Sequence, residues 1–283
     1  MRATEARPGD AAASDVTRRE LCFHDDWAQS IDPSSVAVEE TFSACTSPEP
    51  QWLFAQMGDI RGKRLLELGS GAGEGAVFFA KRGAQVTATD LSHGMLEVVR
   101  KVAALHGTQV DTQVCSAEDL SAFRDGSFDV VYAANLLHHV DIRRCLDEVK
   151  RVLKPGGVAA FWDPMAHNPA INVYRRMAAP LRTADEHPLR RKELRWFRQR
   201  FPEVRTRFFW LTTLLVFLKF YLVDRVHPSA DRYWKRILTH ERSLRWLYRP
   251  LQALDTLLLA IAPPLGWYCW NICIFVRKDG DGE

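Results

Sequence analysis

The sequence predicts an α/β fold: a mostly parallel seven-stranded sheet with helices on both faces, a helical segment ahead of it and a helical insert before the last strand. Three observations carry that expectation. From 63 to 276, short apolar runs alternate with helical segments of ordinary length. The first run, LLELGSGAGEG (65–75), ends in an acid and then four glycines at alternate positions. The last third of the chain then gathers leucine, phenylalanine and tryptophan into a long stretch between two strand-like segments.

Strand-like runs fall at 65–69, 84–90, 109–116, 127–135 and 157–164. Helical segments separate them. Those at 74–83 and 94–107 both end on a glycine suited to a C-cap. The segment 141–153 sets Ile142, Cys145, Leu146, Val149 and Leu153 on one stripe and stops at Pro155-Gly156-Gly157. Strands and helices alternating at this spacing predict parallel pairing with both faces covered. Upstream, 19–58 reads as helices broken by Asp-Pro and Ser-Pro and packed over the carboxyl edge of the sheet. Downstream, 189–201 fits an amphipathic helix with Leu194, Phe197 and Phe201 on one side, while 203–211 and 267–278 supply the sixth and last strands.

Composition narrows the class. The apolar share of 47% and charged share of 26% are those of a globular protein, and a net charge of +3 is too small to argue for nucleic acid. The six cysteines are scattered without a CxxC pair, so no zinc spacing is read, no metal is implied, and reduced thiols in a cytoplasmic protein are expected. The N-terminus lacks an apolar signal-peptide core and reads as a disordered tail.

Glycines cluster where a backbone turns sharply or lets a ligand approach closely. Two frames fit the loop. Gly71-x-Gly73-x-x-Ala76 satisfies the loose dinucleotide fingerprint and supports an NAD-dependent oxidoreductase as the rival reading. Glu67-x-Gly69-x-Gly71-x-Gly73 places an acid at the strand end, which would oppose a pyrophosphate and suit a ligand carrying an ammonium and a sulfonium.

In that second frame, 65–75 resembles motif I of the class I S-adenosylmethionine-dependent methyltransferases. Asp90 ends the second strand, CSAEDL (115–120) follows the third, and FDVVYAANLLHHV (128–140) with RVLKPGG (151–157) resembles the ubiquinone/menaquinone-type small-molecule subgroup. The resemblance is strong over 63–165 and loose at the two terminal strands. It implies a Rossmann-like fold, S-adenosyl-L-methionine as methyl donor, S-adenosyl-L-homocysteine as product, and a small-molecule acceptor. Its cofactor contacts would be Glu67, Gly69, Ser70, Gly71, Gly73, Asp90, Leu91, Ser116, Ala117, Glu118 and Asn135. A non-catalytic protein that keeps the cofactor fold is the other alternative.

Methyl transfer to a hydroxyl or ammonium needs a place for a proton, and histidine is the side chain tuned for that task. His138 and His139 follow the fourth strand at the ligand edge, and one of them is expected to face the pocket; a packing role competes with catalysis there. His167 is a third candidate base. His24 and Trp27, in the upstream helix, are expected in a lid, and Tyr174, Arg182 and His187 in acceptor recognition.

Three readings of the insert stand side by side. The first is a helical cap with an ordinary core, the second a greasy pocket for a lipid-like acceptor. The third is an interfacial seat on a membrane through 189–223, with the enzyme peripheral at its inner face. The run 208–223 has sixteen residues and one charge, short of a bilayer span, and 182–207 carries nine Lys/Arg against four Asp/Glu. No nucleic-acid-binding signature accompanies those arginines. The expected organisation is a tail at 1–18, a lid at 19–58, the cofactor-binding core at 59–165, acceptor loop, helix and sixth strand at 166–210, an apolar cap at 211–266, and the last strand with its tail at 267–283.

Overall fold

The computed structural model describes residues 8–181 and 186–280, with side chains from residue 18 onward. Its seven-stranded sheet runs in the order β3-β2-β1-β4-β5-β7-β6. The strands are β1 (Arg64–Leu68), β2 (Gln85–Asp90), β3 (Asp111–Val114), β4 (Phe128–Ala134), β5 (Leu153–Pro164), β6 (Glu203–Phe209) and β7 (Asn271–Arg277). The first five pair in parallel, whereas β7 is antiparallel to both β5 and β6.

Strand alternation sorts the core into two layers. Leu65, Val86, Ala88, Val130, Tyr132 and Phe275 face one side, where α3 (Pro48–Met57), α4 (Glu74–Lys81) and α5 (His93–Leu105) cover them. Leu66, Leu68, Val131, Ala133, Phe161 and Ile274 face the other, against α6 (Ile142–Val152) and α8 (Leu194–Arg200). The α6 stripe is buried as its spacing predicts, and Asp141 caps the helix by accepting the Arg143 and Arg144 N–H groups. Each such apolar side chain contributes roughly 1.5–3 kcal/mol when fully buried.

Several boundaries move. The first helix, α1, spans Pro8–Gln29, so helix replaces tail over 8–18; Pro8 suits a first turn, where its missing N–H costs nothing. The 166–210 stretch holds α7 (Pro169–Met177), started by the Asn168 cap. Strand β6 stops at Phe209 because Trp210 turns to φ +71, and β7 starts at Asn271 because Pro263-Pro264 open a 3-10 helix instead. The insert itself folds as α9 (Leu215–Leu218), a π-helical turn (Lys219–Val223), α10 (Tyr233–Thr239) and α11 (Glu241–Ile261). It has a separate core of Trp210, Phe217, Phe220, Tyr233, Leu244 and Tyr248. No helix among the described residues is long and apolar enough to cross a membrane.

Candidate functional site

Strands β1 and β4 are neighbours, yet the helices that follow them cover opposite faces of the sheet. The crevice beyond their carboxyl ends is therefore the switch point at which such sheets bind ligands. The glycine loop fills one wall, with Gly69, Gly71 and Gly73 at φ +61, +50 and +90. At Gly69 a Cβ would also come within 2.8 Å of Leu136 Cδ1, so the left-handed backbone and the close approach both demand glycine.

Acids gather at the crevice. Glu67 is buried at the end of β1, under the start of α4, where it accepts the Ala76 N–H. Its other oxygen, Oε2, is buried and has no hydrogen-bond partner among the described residues, and neither has Ser70 Oγ. Burial holds the Glu67 carboxyl well above the usual carboxylate range, and the like charges of Glu74 and Asp90 add to the effect. Burial likewise raises Glu74 and Asp90. Asp90 accepts Gly71 N–H at 3.1 Å and Ser92 N–H at 2.9 Å, which keeps its carboxylate beside the loop with lone pairs to spare. Cys115 N–H donates to the Asp90 carbonyl at 3.2 Å, drawing Ser116 and Ala117 to the same edge. Leu91 is half-buried in the turn after β2. Asn135 takes φ +52 immediately after β4, a strained setting that asparagine tolerates better than most residues. Glu118 is committed elsewhere: its carboxylate accepts Asp141 N–H at 2.9 Å and tethers the start of α6.

A second cluster lies at the ends of β4 and β5. His138 is buried, and its Nδ1 lies 2.6 Å from Oδ1 of Asp163, a fully buried acid that also accepts the Leu137 and His138 N–H groups. Burial pushes the Asp163 carboxyl up to about 7. His139 is more open, with Nδ1 3.2 Å from Glu20 Oε1 on α1. His24 Nε2 lies 3.6 Å from the other oxygen of Glu20, and its ring stands 6.3 Å from that of His139. His187 joins through its backbone, donating to the His138 carbonyl at 2.9 Å, and Glu186 follows it into the group.

The lid is docked on the start of α5. Asp25 accepts from Ser92 Oγ and from Gly94 N–H at the start of α5. Trp27 packs against two cations at the start of α10, with the Arg232 guanidinium 4.2 Å and the Lys235 ammonium 4.9 Å from its ring.

Two expected site residues stand apart. His167 is exposed and its Nε2 accepts the Arg191 N–H at 3.2 Å, a turn contact that takes it out of the list of candidate bases. Tyr174 belongs to the cap core, packed on Phe217 and Tyr233, because an aromatic on the inner stripe of α7 gains more from burial there. Arg182 lies outside the described residues. Glu20, Asp25, Asp163 and Glu186 carry much of the geometry and were not singled out as site residues. The i,i+4 spacing of Glu20 and His24 was the only signal in the sequence for that pair.

With this geometry in place, comparison with known proteins is specific. A family model described as a methyltransferase domain matches residues 66–161. A ubiquinone biosynthesis O-methyltransferase from Xanthomonas oryzae pv. oryzae is 44% identical over 104 residues, 35% of this chain and 42% of that protein. The O-methyltransferase resE of Aspergillus sclerotiorum is 36% identical over 136 residues, 47% of this chain and 50% of that one. The chain thus spans half or less of the length of these relatives. Among solved structures, a geranyl diphosphate methyltransferase in complex with GPP and sinefungin has a TM-score of 0.54 at 17% identity, covering 82% of this chain and 77% of that one. An S-adenosylmethionine-dependent methyltransferase from Thermotoga maritima gives 0.53 at 18% identity, covering 85% and 91%. These structures share the fold.

Proposed function

We propose that this chain, whose residues 66–161 match a methyltransferase domain, moves a methyl group from S-adenosylmethionine onto a hydroxyl of a small, largely apolar metabolite. One observation carries the reading: three acids, Glu67, Glu74 and Asp90, surround a left-handed glycine loop, and burial raises the pKa of each. Such a pocket attracts a cation and repels a diphosphate. Buried oxygens at Glu67 and Ser70 that lack partners fit a ligand with several N–H and O–H groups.

S-adenosylmethionine supplies a methyl already activated on a sulfonium. The residues do the rest. Glu67 and the loop would hold the amino-acid end, Asp90 the ribose hydroxyls, and Ser116 with Ala117 the adenine edge. The α1 lid, tied to α5 by Asp25 and to α10 by Trp27, excludes water. The acceptor oxygen comes to the histidine cluster, where the buried Asp163 carboxylate fixes the tautomer of His138 so that its Nε2 draws off the proton.

The outer face of the cap supports an apolar acceptor taken from a membrane surface. Leu218, Leu222, Val223, Trp246, Leu257 and Ile261 are all more than half exposed, too many for a face meant only for water. Calorimetry with S-adenosylhomocysteine and with NAD tests the core of the proposal. Micromolar binding of the first is expected; binding of NAD with none of S-adenosylhomocysteine overturns it.

A further inference from the structure

The histidine cluster offers more than a proton acceptor. His138, His139 and Glu186 each present one ligating atom, and these atoms lie within 4.8 Å of one another. No two-ligand spacing in the sequence announces this, because Glu186 is brought in from a separate segment that pairs beside β5 through Met165 and Leu189.

We propose that His138, His139 and Glu186 bind a divalent transition metal ion, zinc or manganese, that an oxygen of the acceptor completes. The inference rests on the methyltransferase reading for the acceptor but not for the metal. Two imidazoles and one carboxylate with an open position form a donor set that such ions favour. Ligand atoms around a tetrahedral ion stand roughly 3.3 Å apart, so the widest pair closes by about 1.5 Å at most.

The surroundings make the stronger argument. Histidine ligands characteristically have their second ring nitrogen held by a carboxylate, which orients the ring and raises its basicity. His138 has that partner: Asp163 Oδ1 lies 2.6 Å from its Nδ1, which leaves Nε2 as the ligating nitrogen. A carboxylate also stands close to His139, with Glu20 Oε1 3.2 Å from its Nδ1. With the ion in place the imidazoles ligate instead of taking the proton. A hydroxyl of the acceptor bound to the ion would be acidified and would release its proton to solvent. The oxygen lone pair forms the new C–O bond while the C–S pair leaves on sulfur, giving S-adenosylhomocysteine.

The test is titration of the chelator-stripped full chain with zinc, manganese and cobalt chlorides, read by calorimetry and by the visible spectrum of the cobalt form. One equivalent should bind, with cobalt bands of low coordination number. Glu186→Gln, an isosteric change at a half-buried position, should abolish or strongly weaken binding, and Asp163→Asn should weaken it by about 10–100-fold. Absence of stoichiometric binding in the folded protein, or binding indifferent to Glu186→Gln, overturns the site. S-adenosylhomocysteine titrated into the same samples separates the two readings: cofactor binding without metal binding removes only the metal, and metal binding without cofactor binding removes only the methyltransferase role.

Discussion

Cofactor binding should release protons, and Glu67 should be their principal source. In the free protein its carboxyl is raised well above the usual range by burial and by its acidic neighbours, which favours the protonated form while the pocket is empty of cations. An ammonium brought beside it favours the ionised form, and the proton leaves. The sign follows directly: affinity for S-adenosylhomocysteine rises with pH across the interval between the bound and free pKa values. It climbs up to tenfold per pH unit for each proton released, about 1.4 kcal/mol. Stability of the free protein runs the opposite way. A carboxyl whose folded pKa exceeds its unfolded value stabilises the fold below the unfolded pKa, and that contribution is lost as pH rises through the folded one.

Glu67→Gln isolates the effect. The amide keeps the shape and the oxygen that accepts Ala76 N–H, but cannot ionise. A hydrogen bond to a charged group contributes about 1.5–3 kcal/mol, so the variant should bind S-adenosylhomocysteine roughly 10–100-fold more weakly where the parent's bound carboxyl is ionised. As pH falls and that carboxyl is neutralised, the two proteins should converge. Calorimetry in two buffers of different ionisation enthalpy counts the protons directly. A parent that releases none, with a flat affinity from pH 5 to 8, would refute the reasoning about this pocket.

Three other outcomes are expected. Gly75→Ala should destabilise the protein, because its Cβ would lie 2.2 Å from Glu67 Oε1 and 3.2 Å from buried Tyr132; overpacking costs about 1–3 kcal/mol against up to ~1 kcal/mol gained in helix propensity. Thermal unfolding measures it, and a melting temperature unchanged or raised contradicts the packing described. Trp27→Ala removes that residue's two cation contacts, worth about 1–2 kcal/mol, and should speed hydrogen exchange in α1 while the sheet stays protected. Equal exchange in variant and parent would show that the lid is held by something else. The parent should float with anionic vesicles, and Leu222→Glu with Val223→Glu should leave it at the bottom; a parent that stays down removes the membrane from the proposal.

What could be read in advance follows the geometry of a parallel sheet. All five parallel strands, β1 to β5, end at the same edge, so the residues just after them converge although each lies in its own short segment. Glu67, Gly71, Asp90 and Ser116 were legible for that reason: the strand pattern dictates their neighbourhood. Even there, the sequence did not say that Glu67 would turn under α4, or that Glu118 would be spent on the start of α6. Strand ends were misplaced where a local feature outweighed propensity, as at Trp210, whose turn is held by Asp255 from α11 accepting the Leu211 and Thr212 N–H groups.

The acceptor side has no such rule. His138 and His139 were visible because they too follow a strand, but their partners come from the lid, from the tip of β5 and from the segment at 186. Only folding the lid onto the sheet brings Glu20 to His139, and no periodicity in either segment encodes that meeting. The consequence bears on chemistry. Cofactor residues sit on strand tips fixed by the core, whereas the cluster is complete only when α1 is docked. Loosening the lid at Trp27 should therefore disturb the acceptor half of the site while leaving the carboxylates of the cofactor half in place. A Trp27→Ala protein with S-adenosylhomocysteine affinity near the parent and altered His139 ring chemical shifts by NMR is the expected result, and collapse of cofactor affinity with His139 unchanged would reverse the assignment.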